Sequence, residues 1–164
     1  MKVIVINGPP ESGKDTFVKY VRAFASVEVF NFSTVDRIKQ LARHYFGWDG
    51  IKDAAGRRLL SDLKDASTRY NNGPFFSVAE QLKDTGPRSI CFVHVREPEE
   101  IQKFKDYYGR ACSTIFIDRL VDTEHGNHAD DNVRNFLYDI TVDNKNGFYN
   151  LRFAAETLAK QWSR

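Results

Sequence analysis

The chain opens on a short apolar run, Val3-Ile4-Val5-Ile6, β-branched throughout, which reads as a parallel strand buried on both faces. From Lys14 the period changes, and Phe17, Val18 and Val21 fall on one side of a helix. Val27 to Phe32 alternates as a second strand. Asp36 to Tyr45 carries Ile38, Leu41, Ala42 and Tyr45 at helical spacing, with Ser33 or Thr34 placed to cap it. Gly47 to Gly50 is a turn. Arg57 to Tyr70 reads as a helix with Leu59, Leu60 and Leu63 as its stripe, stopped by Asn71-Asn72-Gly73-Pro74. A further helix is expected over Phe76 to Lys83. Ser89 to Val95 is a third, buried strand, and Pro98 with Glu97, Glu99 and Glu100 suits the first turn of a helix reaching about Tyr107. Ser113 to Asp118 predicts a fourth strand and Tyr138 to Val142 a short fifth. A turn follows over Asp143 to Gly147, and Phe148 to Trp162 is the closing helix. Arg119 to Asn132 is polar and reads as a mobile loop with some helix.

Short strands alternating with helices predict the α/β class: a three-layer, doubly wound parallel sheet of five strands. In such sheets ligands bind at the carboxyl ends of the strands. Residues that follow strand ends are therefore the candidates, namely Gly8 to Thr16, Ser33 to Lys39, Arg96 and Arg119.

The first of these segments, Gly8-Pro-Pro-Glu-Ser-Gly13-Lys14-Asp15-Thr16, has the spacing of a phosphate-binding loop, with Asp15 where Ser or Thr is common. Gly8 and Gly13 allow a tight turn that makes successive N–H groups converge on one anion. The helix that starts at Lys14 directs its dipole at the same point, and the Lys14 ammonium reaches the β/γ-phosphates. The alternative is a glycine-rich strand–helix turn that holds nothing. The position of the motif at the first strand–helix junction favours the phosphate loop.

Bulk properties narrow the class. A chain of 164 residues, 41% hydrophobic with thirteen Phe, reads as one globular domain with a real core. A net charge of +2 gives no support to a nucleic-acid partner. No stretch approaches the ~18 apolar residues of a membrane span, and the first strand follows the N-terminus directly, so no signal peptide is expected. Cys91 and Cys112 each adjoin an apolar run, so buried free thiols in a reducing cytoplasm are expected.

Phosphoryl transfer requires cations on the transferring group and an acceptor held in line. Lys39, Arg57, Arg96, Arg119 and Arg134 are basic residues at strand ends or between strands. Arg96 directly follows the strand Ile90 to Val95; a helix-start salt bridge with Glu99 or Glu100 is its structural alternative. Arg57 and Arg58 are adjacent and face different ways on a helix. His94 lies within a strand, where a histidine bonded to a neighbour is expected rather than a catalytic one. His125 and His128, beside Asp130 and Asp131, have no accompanying cysteine and read as a solvated loop.

These motifs resemble those of nucleoside monophosphate kinases. Gly13-Lys14-Asp15-Thr16 is similar to the G-K-G-T of adenylate kinases, and Ser33-Thr34-Val35-Asp36-Arg37-Ile38-Lys39 to their S-T-x-D-x-x-R. The chain is more similar to phage-type deoxynucleoside monophosphate kinases. Those show S-G-K-D-T in the loop (Ser12 to Thr16), K-x-x-x-x-R-x-L-L (Lys52 to Leu60, with Arg57 in register) and V-R-x-P-x-E (Val95 to Glu100). Tyr138 to Asn144 resembles that family's last strand and Asn-rich turn.

The resemblance implies the fold of a P-loop nucleoside monophosphate kinase, an acceptor-binding helical segment at about 33–85 and a lid segment at about 119–134. It implies ATP and Mg²⁺ as cofactors, a small nucleotide acceptor, no nucleic-acid or membrane partner, and a cytoplasmic monomer or homodimer. Gly8, Glu11, Ser12, Gly13, Lys14, Asp15 and Thr16 would hold ATP. Ser33, Asp36, Lys39, Arg57 and Arg96 would bind the acceptor. Arg119 and Arg134 would act as lid arginines, with Lys14, Arg96 and Arg119 in the transfer itself. Two departures stand out. His94 replaces an Asp common in relatives, which leaves Asp15 as the candidate metal contact, and Lys39 replaces an Arg and loses bidentate geometry. Rival readings are a P-loop kinase for another phosphorylated acceptor such as phosphomevalonate, a nucleotide-dependent switch whose Asn144-Lys145-Asn146 lacks the usual Asp, and a scaffold.

Overall fold

Val3, Ile4, Val5 and Ile6 are fully excluded from solvent, as a run of β-branched residues covered on both faces must be. They form β1 (Lys2–Asn7), the middle strand of a five-stranded sheet. The other strands are β2 (Glu28–Ser33), β3 (Ser89–His94), β4 (Cys112–Asp118) and β5 (Ile140–Asp143), in the spatial order β2-β3-β1-β4-β5. The helices are α1 (Lys14–Phe24), α2 (Asp36–Phe46), α3 (Ala54–Asn71), α4 (Gly73–Lys83), α5 (Pro98–Tyr108) and α6 (Phe148–Trp162). Single 3₁₀ turns occupy Gly109–Ala111 and Asn132–Arg134. The computed structural model describes residues 1–119, 132–145 and 148–163. The predicted histidine and aspartate cluster, His125, His128, Asp130 and Asp131, lies outside the described residues, as does most of the 119–134 segment.

The strand pairing is the doubly wound plan that the alternation predicts. β1 pairs in parallel with β3, Ile4 opposite Phe92, and with β4, Val5 opposite Thr114; β4 continues to β5. Successive strands lie to one side of β1 until β3 and to the other side from β4. The reversal falls at β1, so the crevice beyond its carboxyl end is the topological switch point.

The chain divides into two compact units, Met1–Asn31 with Thr85–Arg164, and Phe32–Asp84. In the first, Ile4 and Ile6 share a core with Phe17, Val18 and Val21 of α1 and Leu151, Ala155 and Ala159 of α6. Each such Ile or Phe contributes about 1.5–3 kcal/mol by burial. The stripe read from the α1 sequence is the face it buries. On the other sheet face α5 packs against β1 and β4, with Ile101 and Phe104 wholly buried. Cys91 and Cys112 are free and buried, and burial pushes the Cys112 thiol up to about 11.

The second unit packs α2, α3 and α4 on one another, burying Ile38, Ala42, Phe75, Val78, Ala79 and Leu82. Its elements depart from expectation in four places, one of them that α4 starts at Gly73 rather than Phe76, with Pro74 in its first turn. The α2 stripe is narrower than its spacing implies, because Leu41 is 39% and Tyr45 73% exposed. Neither Ser33 nor Thr34 caps α2; Val35 holds that position, and the Asp36 carboxylate reaches back to the Ser33 N–H at 3.1 Å. α3 starts three residues before Arg57, because Asp53 caps it by accepting the Gly56 N–H at 2.7 Å. Asn72, in the left-handed conformation, ends α3 and leads into α4. No helix among the described residues is long and apolar enough to cross a membrane.

Candidate functional site

The Gly8 to Thr16 segment leaves the carboxyl end of β1 at the switch point and is held from several sides. Gly8 has φ +150°, and a Cβ there would stand 2.5 Å from the Ile117 carbonyl oxygen, so the chain passes too close to β4 for a side chain. The Gly8 N–H donates to Asn7 Oδ1 at 2.8 Å. Gly8 therefore contributes the turn rather than an anion-facing amide. Ser12 is fully buried, and its N–H closes a turn onto the Pro9 carbonyl at 3.2 Å. Glu11 sits at φ +58°, in the left-handed region that costs a non-glycine residue energy.

Gly13, at φ +100°, precedes α1 and directs the chain into it. The first-turn amides of α1 have no carbonyl of their own helix to bind, and with the dipole they form an anion cradle. The Lys14 ammonium lies over this loop and donates to the carbonyls of Gly8 at 2.7 Å and Pro9 at 2.6 Å, with Ser12 Oγ at 3.4 Å. A compact cation is thus held on the same loop that leads into the first-turn amides of α1, an arrangement suited to an anion.

Two residues that the sequence did not assign to the loop support it. Asn144, 2% exposed, follows β5 and donates from Nδ2 to the Ser12 carbonyl at 2.7 Å, while its own N–H binds the Asp118 carbonyl at 2.8 Å. A Cβ on Gly13 would meet Asn144 Nδ2 at 2.8 Å, so the glycine makes room for this clamp. Asp118, at the end of β4, pairs with Arg134 and Lys145, both at 2.8 Å. Hydrogen bonds from Lys145, then from Arg134, hold its carboxyl below the usual range despite partial burial. Asp118 was marked in the sequence only by its place at a strand end, and Asn144 only as part of the Asn-rich turn and of an incomplete switch motif, neither of which pointed to this clamp.

The remaining candidates fall into separate groups. Arg119 donates from Nη1 to the Glu11 carbonyl at 3.1 Å, which sets a second cation against the phosphate loop. Arg134 is engaged by Asp118 and stacks 5.5 Å over the Phe116 ring. Arg96 is exposed just past β3, and its carbonyl accepts from Asn7 Nδ2 at 3.1 Å. Asp15 is 82% exposed at the side chain, with Oδ1 3.7 Å from His94 Nε2. His94 itself bonds the Asn31 carboxamide at 2.9 Å, the neighbour-bonded state expected of it.

In the second unit, Ser33, Asp36 and Lys39 come together at the start of α2. Asp36 accepts the Ser33 N–H on one oxygen and pairs with the Lys39 ammonium at 3.1 Å on the other. Arg57 and Arg58 do face different ways and both are exposed. Arg57 binds the Lys52 carbonyl at 2.8 Å, and Arg58 stands 3.9 Å from Asp62. Among the described residues no group of three or more His, Cys, Asp or Glu side chains could hold a metal by itself.

No protein-family model matches the chain, and no curated protein matches it. Solved structures do. The thymidylate kinase of Candida albicans is 13% identical with a TM-score of 0.54, over 98% of this chain and 90% of that one. The shikimate kinase of Aquifex aeolicus is 12% identical, TM-score 0.51, over 97% and 96%. The APS kinase of Mycobacterium tuberculosis is 15% identical, TM-score 0.51, over 99% and 97%. With β1, the Gly8 to Thr16 loop and α1 at the switch point of a parallel α/β sheet, the chain has the fold of the P-loop kinases.

Proposed function

We propose that this chain is an ATP-dependent kinase that moves the γ-phosphoryl group to a (deoxy)nucleoside monophosphate, giving ADP and the nucleoside diphosphate. The observation that carries the reading is the Lys14 ammonium held over the Gly8 and Pro9 carbonyls at the switch point, with Arg119 on the same loop. A cradle of amides with two cations meets the chief need of phosphoryl transfer, which is charge stabilisation around a loose transition state.

Gly13, Lys14, Asp15 and Thr16, on the loop shaped by Gly8, Glu11 and Ser12, bind the donor phosphates. Arg119 neutralises charge on the transferring group. Arg134 is held by Asp118, so Arg119 is the better placed of the two arginines for that role. Arg96 in the first unit, and Ser33, Asp36, Lys39 and Arg57 in the second, are assigned to the acceptor. Mg²⁺ takes oxygen ligands and is often held by one or two carboxylates together with substrate phosphates. Asp15 is an exposed carboxylate at the N-terminus of α1 and fits such a role. The ion, when bound, would offset the charge of the donor phosphates.

The acceptor rests on the motif resemblance. The solved structures of the same fold are named for kinases of thymidylate, shikimate and APS, so the fold alone is compatible with several acceptors. A coupled ADP-release assay with ATP and Mg²⁺, run across all ribo- and deoxyribonucleoside monophosphates with phosphomevalonate included, tests the reading. Acceptor-dependent ADP release with a nucleoside monophosphate is the expected result. Release with phosphomevalonate alone moves the chain to another acceptor class, and release with no acceptor dependence removes the kinase reading.

A further inference from the structure

Asn7 is the last residue of β1 and 1% exposed, and it uses both ends of its carboxamide. Oδ1 accepts the Gly8 N–H at 2.8 Å, at the entrance to the phosphate loop. Nδ2 donates to the Arg96 carbonyl at 3.1 Å and to the Tyr138 hydroxyl at 2.8 Å. Only one orientation of the amide serves an N–H on one side and a carbonyl on the other. The Tyr138 hydroxyl in turn donates to the Val133 carbonyl at 2.8 Å. Its ring is flanked by Phe116 at 5.0 Å and Phe136 at 5.2 Å, and burial pushes the phenol up to about 12, so it remains a donor at working pH.

The place of these bonds gives them their meaning. The backbone ladder between β1 and β3 runs as far as Ile6 opposite His94, and its last bond, Val95 N–H to the Ile6 carbonyl, is stretched to 3.4 Å. Beyond it β1 turns into the loop, and there the Asn7 side chain rather than its backbone reaches across to the Arg96 carbonyl. It also binds the first amide of the loop, so one carboxamide fixes both the donor side and the backbone of Arg96.

We infer that Asn7 is a positioning residue for phosphoryl transfer, which sets the Arg96 backbone against the phosphate loop while Tyr138 locks its amide. The inference rests on the kinase reading. In-line transfer is sensitive to misplacement on the ångström scale, which costs about a hundredfold in rate. Leucine in place of Asn7 would fill the space without hydrogen bonds, and aspartate would keep the bond to Gly8 but lose both donors.

The test compares Tyr138→Phe and Asn7→Ala with the wild type, and it has two readouts. In backbone amide NMR of Tyr138→Phe, both Gly8 and Glu97, whose N–H shares the peptide plane of the Arg96 carbonyl, should shift. In the acceptor assay, kcat should fall about tenfold for Tyr138→Phe and about a hundredfold for Asn7→Ala, with the KM for ATP within about threefold of wild type. Amide changes confined to the surroundings of residues 133 and 138 overturn the inference, as does an unchanged kcat in folded Tyr138→Phe. If Asn7→Ala fails to fold, Tyr138→Phe still decides. A wild type inactive with every acceptor defeats the kinase reading, while the amide shifts at Gly8 and Glu97 still report whether Asn7 links the two backbones.

Discussion

The Asn144 carboxamide donates to the Ser12 carbonyl at 2.7 Å across 132 residues of sequence, so the turn after β5 clamps the floor of the phosphate loop. Ser12 and Asn144 are both buried, at 0% and 2% exposed. Asn144→Ala leaves a buried carbonyl without its donor, at a cost of about 1–3 kcal/mol. The expected result is a Tm lower by about 5 °C and an affinity for a non-hydrolysable ATP analogue weaker by about tenfold. Differential scanning fluorimetry and isothermal titration calorimetry check the two values. A lower Tm with unchanged affinity would assign Asn144 to stability alone.

Gly8→Ala should be costly for a different reason. The added Cβ would lie 2.5 Å from the Ile117 carbonyl oxygen and 2.7 Å from Ser12 Oγ, at a φ that L-residues rarely adopt. The nearest atom belongs to the backbone of the core strand β4, which has no rotamer with which to move aside. Urea unfolding should show a loss of about 2–4 kcal/mol at an unchanged m-value. A loss below about 0.5 kcal/mol would mean that the loop is wider than its geometry indicates.

Among the described residues Arg119 meets the loop at the Glu11 carbonyl, a backbone contact that orders the arginine. Arg119→Ala should therefore lower kcat by about a hundredfold or more and leave the KM for ATP within about threefold. Steady-state kinetics with varied ATP at saturating acceptor separate the two effects. A loss confined to the KM for ATP would place Arg119 in ground-state binding.

Asp118 makes stability depend on acid pH. Its carboxyl is held below the usual range, chiefly by the Lys145 hydrogen bond and then by Arg134, so the folded state binds the proton less readily than the unfolded chain. The sign is that of a depressed carboxylate: its contribution is full above about pH 4 and is lost as pH falls further. Melting curves of wild type and Asp118→Asn should differ by a constant Tm gap from about pH 8 to pH 5, and the gap should close below about pH 4. A gap that persists at pH 3 would show that the substitution acts through packing.

The first unit was the more legible part of the sequence, because its signals are local and of one period. Val3 to Ile6 can only be a covered strand, and Phe17, Val18 and Val21 mark a face that α1 does bury. The stripe on α2 was misleading in extent, since spacing shows that Leu41 and Tyr45 share a side with Ile38 but not that a neighbour stops short of them. The α3 start was missed because Asp53 looks like any loop aspartate until its carboxylate is seen on the Gly56 N–H. Motif and strand end named the loop and Arg119, which the structure brings together through the Glu11 carbonyl. The hydrogen bonds of Asn7 and Asn144 to the loop were not legible, since an Asn at a strand end has the same composition whether it caps a turn or bonds a segment far away in sequence.

The central claim is that the Gly8 to Thr16 loop, through Lys14, drives transfer of a phosphoryl group to a nucleotide acceptor. The most direct measurement follows label from [γ-³²P]ATP in wild type and in Lys14→Ala, with the fold of both confirmed by circular dichroism. The account predicts labelled nucleoside diphosphate with the wild type, and a rate lower by about three orders of magnitude with Lys14→Ala. Label released only as inorganic phosphate, or transferred at a comparable rate by folded Lys14→Ala, would contradict it.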